Sequence, residues 1–179
     1  MKDPDVDLWS TDEVHFQQHG SRCRMWIPPE IKDPVLLHHP TRKSVGYFGA
    51  VRLRDGNFVR QREEDRFNAE SFWRFLKKLK KVSGRSGRRV VVISDNAKYH
   101  HANLHKEWRR KNKGQFALDF LPPYSPDLNP IERVWKLVRR LCLHNQYFPE
   151  LEKVISTVED RFDSWAGPNE TLRRLCAII

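Results

Sequence analysis

The sequence predicts an α/β domain, a mixed β-sheet flanked by helices, and three patterns predict it. Residues 6 to 16 alternate, so Leu8, Ser10, Asp12, Val14 and Phe16 share one face of a strand. Two apolar runs, 45–53 and 57–62, flank Asp55-Gly56, a hairpin signal because Gly accepts the positive φ of a tight turn. Residues 89–94 (RVVVIS) form a short β-branched run, typical of a central strand buried on both faces beneath helices.

The remaining elements fall between these. After the first strand, a stretch with Pro28, Pro29, Pro34 and Pro40 reads as loop plus a short strand near Trp26. Asn68 or Ser71 opens a helix whose Phe72, Phe75, Leu76 and Leu79 recur at helical spacing, with lysines on the other face. Gly84 and Gly87 mark a turn before the 89–94 strand. A basic helix at about 102–112 and a strand at 116–121 follow. A proline-rich segment, 122–130, leads into a helix carrying Ile131, Val134, Trp135, Val138 and Leu141. The last helix carries Leu151, Val154, Ile155, Val158 and Phe162. Three strands, helix, strand, helix, strand, helices make one layered structure, expected to span residues 1–179 as a single domain.

Bulk properties narrow the function classes. Hydrophobic residues make up 39%, a globular composition. No apolar run approaches the roughly 20 residues of a membrane span, and the charged N-terminus lacks a secretory apolar core. Cys23, Cys142 and Cys176 are odd in number and widely spaced, which suits reduced thiols in a cytoplasmic protein. Thirty-three Lys and Arg against 23 Asp and Glu give +10, with pI near 9.8. The basic residues cluster, Lys77 to Arg89 in one group and Arg109 to Lys113 in another, which favours a nucleic-acid partner over a merely solubilising surface. No glycine-rich phosphate loop is present, so no nucleotide cofactor is expected.

Three acidic residues stand out by position. Asp12 lies mid-strand among apolar neighbours, Asp95 at the carboxyl end of the presumed central strand, and Glu132 in the first turn of a helix. Carboxylates that share a site repel one another, and hard Mg²⁺ or Mn²⁺ relieves the repulsion while binding phosphate oxygens. Each also has a structural reading. Asp95 with Asn96 begins a turn, Asp12 pairs with a basic side chain such as Arg89, and Glu132 closes a capping box on Asn129. Taken singly, Glu132 favours the capping box; the three together on a basic domain favour a metal site.

The segment Leu121 to Glu132 (LPPYSPDLNPIE), continuing to Trp135 and Lys136, resembles the third-acid signature of mariner-superfamily transposases, nearest the bacterial insertion-sequence 630 group. Val92 to His100 (VISDNAKYH) resembles the family's second-aspartate motif and Ser10 to Phe16 (STDEVHF) its first. Arg24, Trp26 and Pro28 resemble an Arg-x-Trp-x-Pro element. The resemblance spans roughly residues 6 to 150. It implies an RNase H-like fold with a catalytic, metal-binding Asp-Asp-Glu triad carried onto Asp12, Asp95 and Glu132, holding two Mg²⁺ or Mn²⁺ ions. Glu13 rivals Asp12, but alternation sends it to the opposite face. The implied reaction is cleavage at transposon ends, then attack of the freed 3′ hydroxyl on target DNA at TA sites. The implied partners are DNA and a second copy in a homodimer, and the implied location is bacterial, cytoplasmic and nucleoid-associated.

Thirty-six residues separate Asp95 from Glu132, slightly more than the family's usual spacing; the basic 102–113 segment accommodates them. Family members carry N-terminal helix-turn-helix modules, whereas here the first strand begins within ten residues of Met1, so that module is not expected in the chain. A fragment, a frame joined by frameshifting and a decayed relic all fit this arrangement. An RNase H-like nuclease or resolvase and an inactive basic DNA-binding remnant are the alternative functions. His101 and His105 sit at i, i+4 but lack further zinc ligands nearby. The six Trp are expected chiefly in the core.

Overall fold

The computed structural model describes residues 3–31, 35, 37, 40–123 and 125–177. Pro34 and Tyr124 therefore lie outside the described residues. The alternating first segment forms β1 (Val6–Gln17), and the hairpin forms β2 (Ser44–Arg52) and β3 (Phe58–Glu63). Gly56 takes a φ of 71° in the connecting turn, where Gly56 N–H donates to the Arg52 carbonyl. Helix α1 (Ala69–Ser83) starts at Asn68. Its Oδ1 accepts from the N–H groups of Glu70 and Ser71, and Ser71 Oγ accepts from Asn68 N–H, a reciprocal capping box.

Strands β4 (Arg89–Ser94) and β5 (Phe116–Phe120) complete one sheet of order β3-β2-β1-β4-β5. β1 pairs antiparallel with β2 and parallel with β4, and β4 runs parallel to β5. The mixed α/β sheet expected from the sequence is the one observed. α1 and the short helix α2 (Lys106–Asn112) cover one face, where Trp9, Phe48, Phe72, Phe75, Leu76 and Val92 pack together. Helices α3 (Ile131–Val138), α4 (Leu151–Asp163) and α5 (Glu170–Leu175) cover the other, over Val14, Phe16, Tyr47 and Phe58. No helix among the described residues is long and apolar enough to cross a membrane.

Several expectations change in detail. β4 is not buried on both faces: Val90 and Val92 are buried, while Val91 and Ile93 are half-buried. The second helical layer packs on β1 and β2 and leaves that side of β4 partly open. The segment near Trp26 is not a strand; Trp26 is fully exposed, and Ser21 alone makes a bridge, to His144. The basic helix is shorter than expected, because residues Lys98–His101 and Asn103–His105 form 3₁₀ turns before α2. Leu141 does not join the core. A π-helical turn, Arg139–Leu143, widens the last turn after α3, so Cys142 and Leu143 are buried and Leu141 is half exposed.

One close approach fixes how near α3 sits to the sheet. Gly49, paired with Asp12 across β1 and β2, lies directly under the Trp135 ring, and a Cβ there would overlap the ring. Trp135 is itself fully buried and has no room to retreat. Gly49→Ala is expected to destabilise the fold by roughly 2 kcal/mol or more, in the overpacking range, lowering the melting temperature by about 4–8 °C. Gly84→Ala, where a Cβ meets nothing within 4 Å and φ is −63°, is the control and should leave it unchanged or slightly raised. Equal melting of the two variants would show that α3 is not held at this distance.

Candidate active site

The sheet topology brings the two aspartates together. The last parallel pair between β1 and β4 is Ser10 with Ile93, so Asp12 and Asp95 each lie two residues further along neighbouring strands. Asp12 remains within β1, which continues to Gln17, whereas β4 ends at Ser94 and releases Asp95 into a loop. Glu132 arrives from α3. Asp12, Asp95 and Glu132 line one cleft of about 500 Å³, together with Asn96, Asn129 and the proline-rich segment at Pro122 and Pro123.

A buried junction sets the position of Glu132. Ser10 Oγ donates to Asn129 Oδ1 and accepts from Ile131 N–H at 3.1 Å; Asn129 Nδ2 donates to the Thr11 carbonyl at 3.1 Å. Ser10, Thr11 and Asn129 are all buried. The first turn of α3 is thus capped by a strand residue two positions from Asp12. This corrects the capping-box reading of Glu132. Asn129 N–H donates to the Pro126 carbonyl, and its side chain is spent on β1, so no reciprocal box forms with Glu132. The pairing of Asp12 with Arg89 is also absent among the described residues. The arginine pairs of this strand fall instead on the buried Asp7, at 3.1 Å from Arg52 and 2.9 Å from Arg54. The turn at Asp95 is present: its Oδ1 accepts from Ala97 N–H at 3.2 Å.

The electrostatics are uneven across the cleft. Burial, then the neighbouring charges of Glu13 and Glu132, push the Asp12 carboxyl up to about 9. Asp95 moves the opposite way. A hydrogen bond from His100 holds its carboxyl below the usual range, against the burial that raises it. His100, missed from sequence, is fully buried between two acids. Its Nδ1 lies 2.9 Å from Asp95 Oδ1 and its Nε2 lies 2.9 Å from Glu13 Oε1. Burial alone would lower the imidazole, but hydrogen bonds to Asp95 and Glu13 outweigh it and raise it to about 9. Glu13 meets His100 on the α1 side, yet its side chain also hydrogen-bonds with that of Asp12, which raises the Asp12 carboxyl further. Its place after Asp12 and the Asp-x-x-x-x-His spacing from Asp95 were the available signals.

Among the described residues, His101 and His105 do not assemble a metal site. His105 is buried with Nε2 on the Tyr99 carbonyl, whereas His101 is exposed and stacks on Phe120. Of the six Trp, Trp9, Trp135 and Trp165 are buried.

Oxygen donors that crowd without a balancing charge are what a hard divalent cation suits, and Asp12 with Glu132 fits that description. The same crowding sets a pH dependence in the absence of metal. A carboxyl raised from 3.8 to about 9 contributes less stability as pH climbs between those values, and His100, raised from 6.5 to about 9, loses its contribution over the upper part of that range. With chelator present, the melting temperature should fall from pH 6.5 to pH 9. Asp12→Asn should raise it at pH 8 by several degrees, at about 2–4 °C per kcal/mol, and flatten the slope. A variant that melts at or below wild type at pH 8 would show that Asp12 is not a strained carboxylate.

Comparison with known proteins agrees with this arrangement. Residues 7–155 match the DDE superfamily endonuclease family. Over 70 residues the chain is 36% identical to an uncharacterized protein of Sinorhizobium fredii (y4pE/y4sA), covering 39% of this chain and 48% of that one. Among solved structures, the Mos1 mariner paired-end complex with Mn matches with TM-score 0.69 at 20% identity, over 94% of this chain and 51% of that one. The catalytic domain of Mos1 mariner transposase matches with TM-score 0.63 at 17% identity, over 94% and 74%. The chain therefore spans about half the length of the Sinorhizobium protein and of the Mos1 chain in that complex. It has the fold of the mariner transposase catalytic domain, and by its sequence it belongs to the DDE superfamily endonucleases.

Proposed function

We propose that this chain is the catalytic domain of a DNA transposase, with Asp12, Asp95 and Glu132 as its metal-binding triad. The observation that carries the reading is the convergence of three sequence-distant acids on one cleft, with Asp12 lacking any compensating cation among the described residues. Mg²⁺ or Mn²⁺, as a pair of ions, would supply the positive charge that favours in-line attack on a phosphodiester and departure of its leaving oxygen. Solved Mos1 complexes with Mn and with Mg support that choice of ion.

The chain's own residues supply position. Ser10 and Asn129 fix the helix that bears Glu132, and the parallel pairing of β1 with β4 sets Asp12 beside Asp95. The substrate is DNA, first at transposon ends and then at a TA target. Exposed Lys77, Lys81, Arg85 and Arg88 on and after α1, with Arg110 and Lys111 on α2, form the basic layer that would hold the phosphate backbone. Retention on duplex DNA should therefore fall steeply between 50 and 200 mM salt, by about 10³-fold for six neutralised phosphates; salt-insensitive retention would sink this assignment. A homodimer is supported by the exposed apolar segment carrying Met25, Trp26, Ile27 and Ile31. A nucleoid-associated location follows from DNA binding.

Glu132→Gln is the decisive variant. It keeps size and polarity, and the cap of α3 does not use Glu132, so metal-free stability should change by less than about 1 kcal/mol. Nicking of terminal-repeat duplex in Mn²⁺ should fall at least about a hundredfold, the usual cost of removing one preorganised charge partner. Cleavage within about threefold of wild type would remove Glu132 from the triad.

A further inference from the structure

Behind the cleft, on the α1 side of the sheet, one histidine joins β1, at Glu13, to the loop after β4, at Asp95. His100 is fully buried, with the Phe72 ring of α1 against it at a centroid distance of 4.0 Å. Nδ1 faces Asp95 Oδ1 and Nε2 faces Glu13 Oε1, each at 2.9 Å; Ser94 Oγ lies 3.1 Å from Nδ1, and the Tyr99 hydroxyl donates to Glu13. Glu13, Asp95 and His100 offer ligand atoms within 4.8 Å of one another, a grouping that would itself suit a metal ion. Yet both ring nitrogens already meet carboxylate oxygens, so neither has a lone pair directed at open space.

The bonds on Asp95 are one-sided. His100 Nδ1 lies 2.9 Å from Oδ1 and 3.2 Å from the Asp95 carbonyl, Ala97 N–H donates to Oδ1, and among the described residues no bond ends on Oδ2. Asp95 is half exposed and lines the cleft. One oxygen is anchored behind the sheet while the other remains for the cleft.

We propose that His100 is a positioning residue that clamps Asp95 through Oδ1, with Glu13 as its own anchor, so that Asp95 presents a single fixed oxygen to the cation in the cleft. The proposal rests on the triad assigned above. Glu13 thereby acts from behind the site and not as a ligand within it. Outer partners of this kind orient a ligating carboxylate and typically alter metal affinity by about 10–100-fold.

Mn²⁺ titrated into the full chain, followed by thermal melting, tests this without any DNA cleavage. Wild type should show a Mn²⁺-dependent rise that Asp95→Asn abolishes. If wild type shows none, the triad fails and the positioning role falls with it. Given that rise, His100→Gln, which can reach only one of the two acids, should need about tenfold or more Mn²⁺ for half the effect. A lower metal-free melting temperature with an unchanged Mn²⁺ midpoint would mean that His100 is packing alone, and would overturn the positioning role while leaving the triad standing. Glu13→Gln keeps an acceptor for Nε2 and serves even if His100→Gln does not fold. It should shift the midpoint by about threefold or more, but less than Asp95→Asn does. An unchanged midpoint would deny the anchor, and abolition of the Mn²⁺ effect would make Glu13 a ligand; either result overturns the proposal.

Discussion

The site depends on one buried hydrogen-bonded junction, in which Ser10 Oγ links the side chain of Asn129 to the first free N–H of α3. A helix start leaves N–H groups that need acceptors, and here the acceptor belongs to a neighbouring strand rather than to the helix's own cap. The cost of leaving Ile131 N–H, Asn129 or Ser10 unpaired in this dry place is of order 1–3 kcal/mol per group. The junction is thus worth preserving as a unit. Because Ser10 and Asp12 share one strand face, whatever holds α3 to Ser10 also fixes Glu132 relative to Asp12. Gly49 and Trp135 complete the constraint by setting the depth at which the helix lies on the sheet.

Charge follows from that geometry. Holding Glu132 over Asp12 places like charges together in a partly buried cleft, and Glu13 adds a third from the next residue along. On the side of the sheet facing α1, the protein provides its own cation, His100, for Glu13 and for one oxygen of Asp95. On the cleft side it provides none to Asp12 among the described residues. A chain with 33 Lys and Arg has no shortage of cations to spend there. Its basic residues instead crowd α1, α2 and the turn after α1, where Lys80 reaches across to Asn112 and joins the two groups into one layer. The cleft is left acidic within a basic molecule, an arrangement suited to a divalent cation and a polyanionic substrate together.

Much of this was legible in the sequence because it rests on periodicity and local turn chemistry. The alternation in β1, the Asp-Gly hairpin and the β-branched run of β4 each predict their strand to within a residue or two. What failed was set by long-range packing. The half-open face of β4 depends on where α3, α4 and α5 settle, and Leu141 left the core because a π-turn changed the helical phase, which no local propensity encodes. Glu132 was open to two readings for the same reason. Asn-Pro-x-Glu supports a capping box until Ser10, more than a hundred residues away, is seen to satisfy the helix. His100 was passed over because its meaning lies in Glu13, 87 positions earlier, a partner that the Asp-x-x-x-x-His spacing does not disclose.

The topology explains why these distant residues meet where they do. Among the described residues, β1 is the one strand with an antiparallel neighbour on one side and a parallel neighbour on the other. Its parallel partner stops at Ser94, while β1 runs on beside β2 to Gln17, so the carboxyl end of β4 opens a gap along an otherwise paired strand. Ligand sites in α/β sheets form where chains diverge at strand ends. At this divergence Asp12 projects from a strand still paired with β2 at Gly49, whereas Asp95 stands on the loop just released. A loop carboxylate needs further restraint to hold its orientation against a strand carboxylate. The Ala97 turn and the His100 bond, both converging on Oδ1, provide it from the chain immediately downstream. The unequal support of the two aspartates is therefore a consequence of where β4 ends.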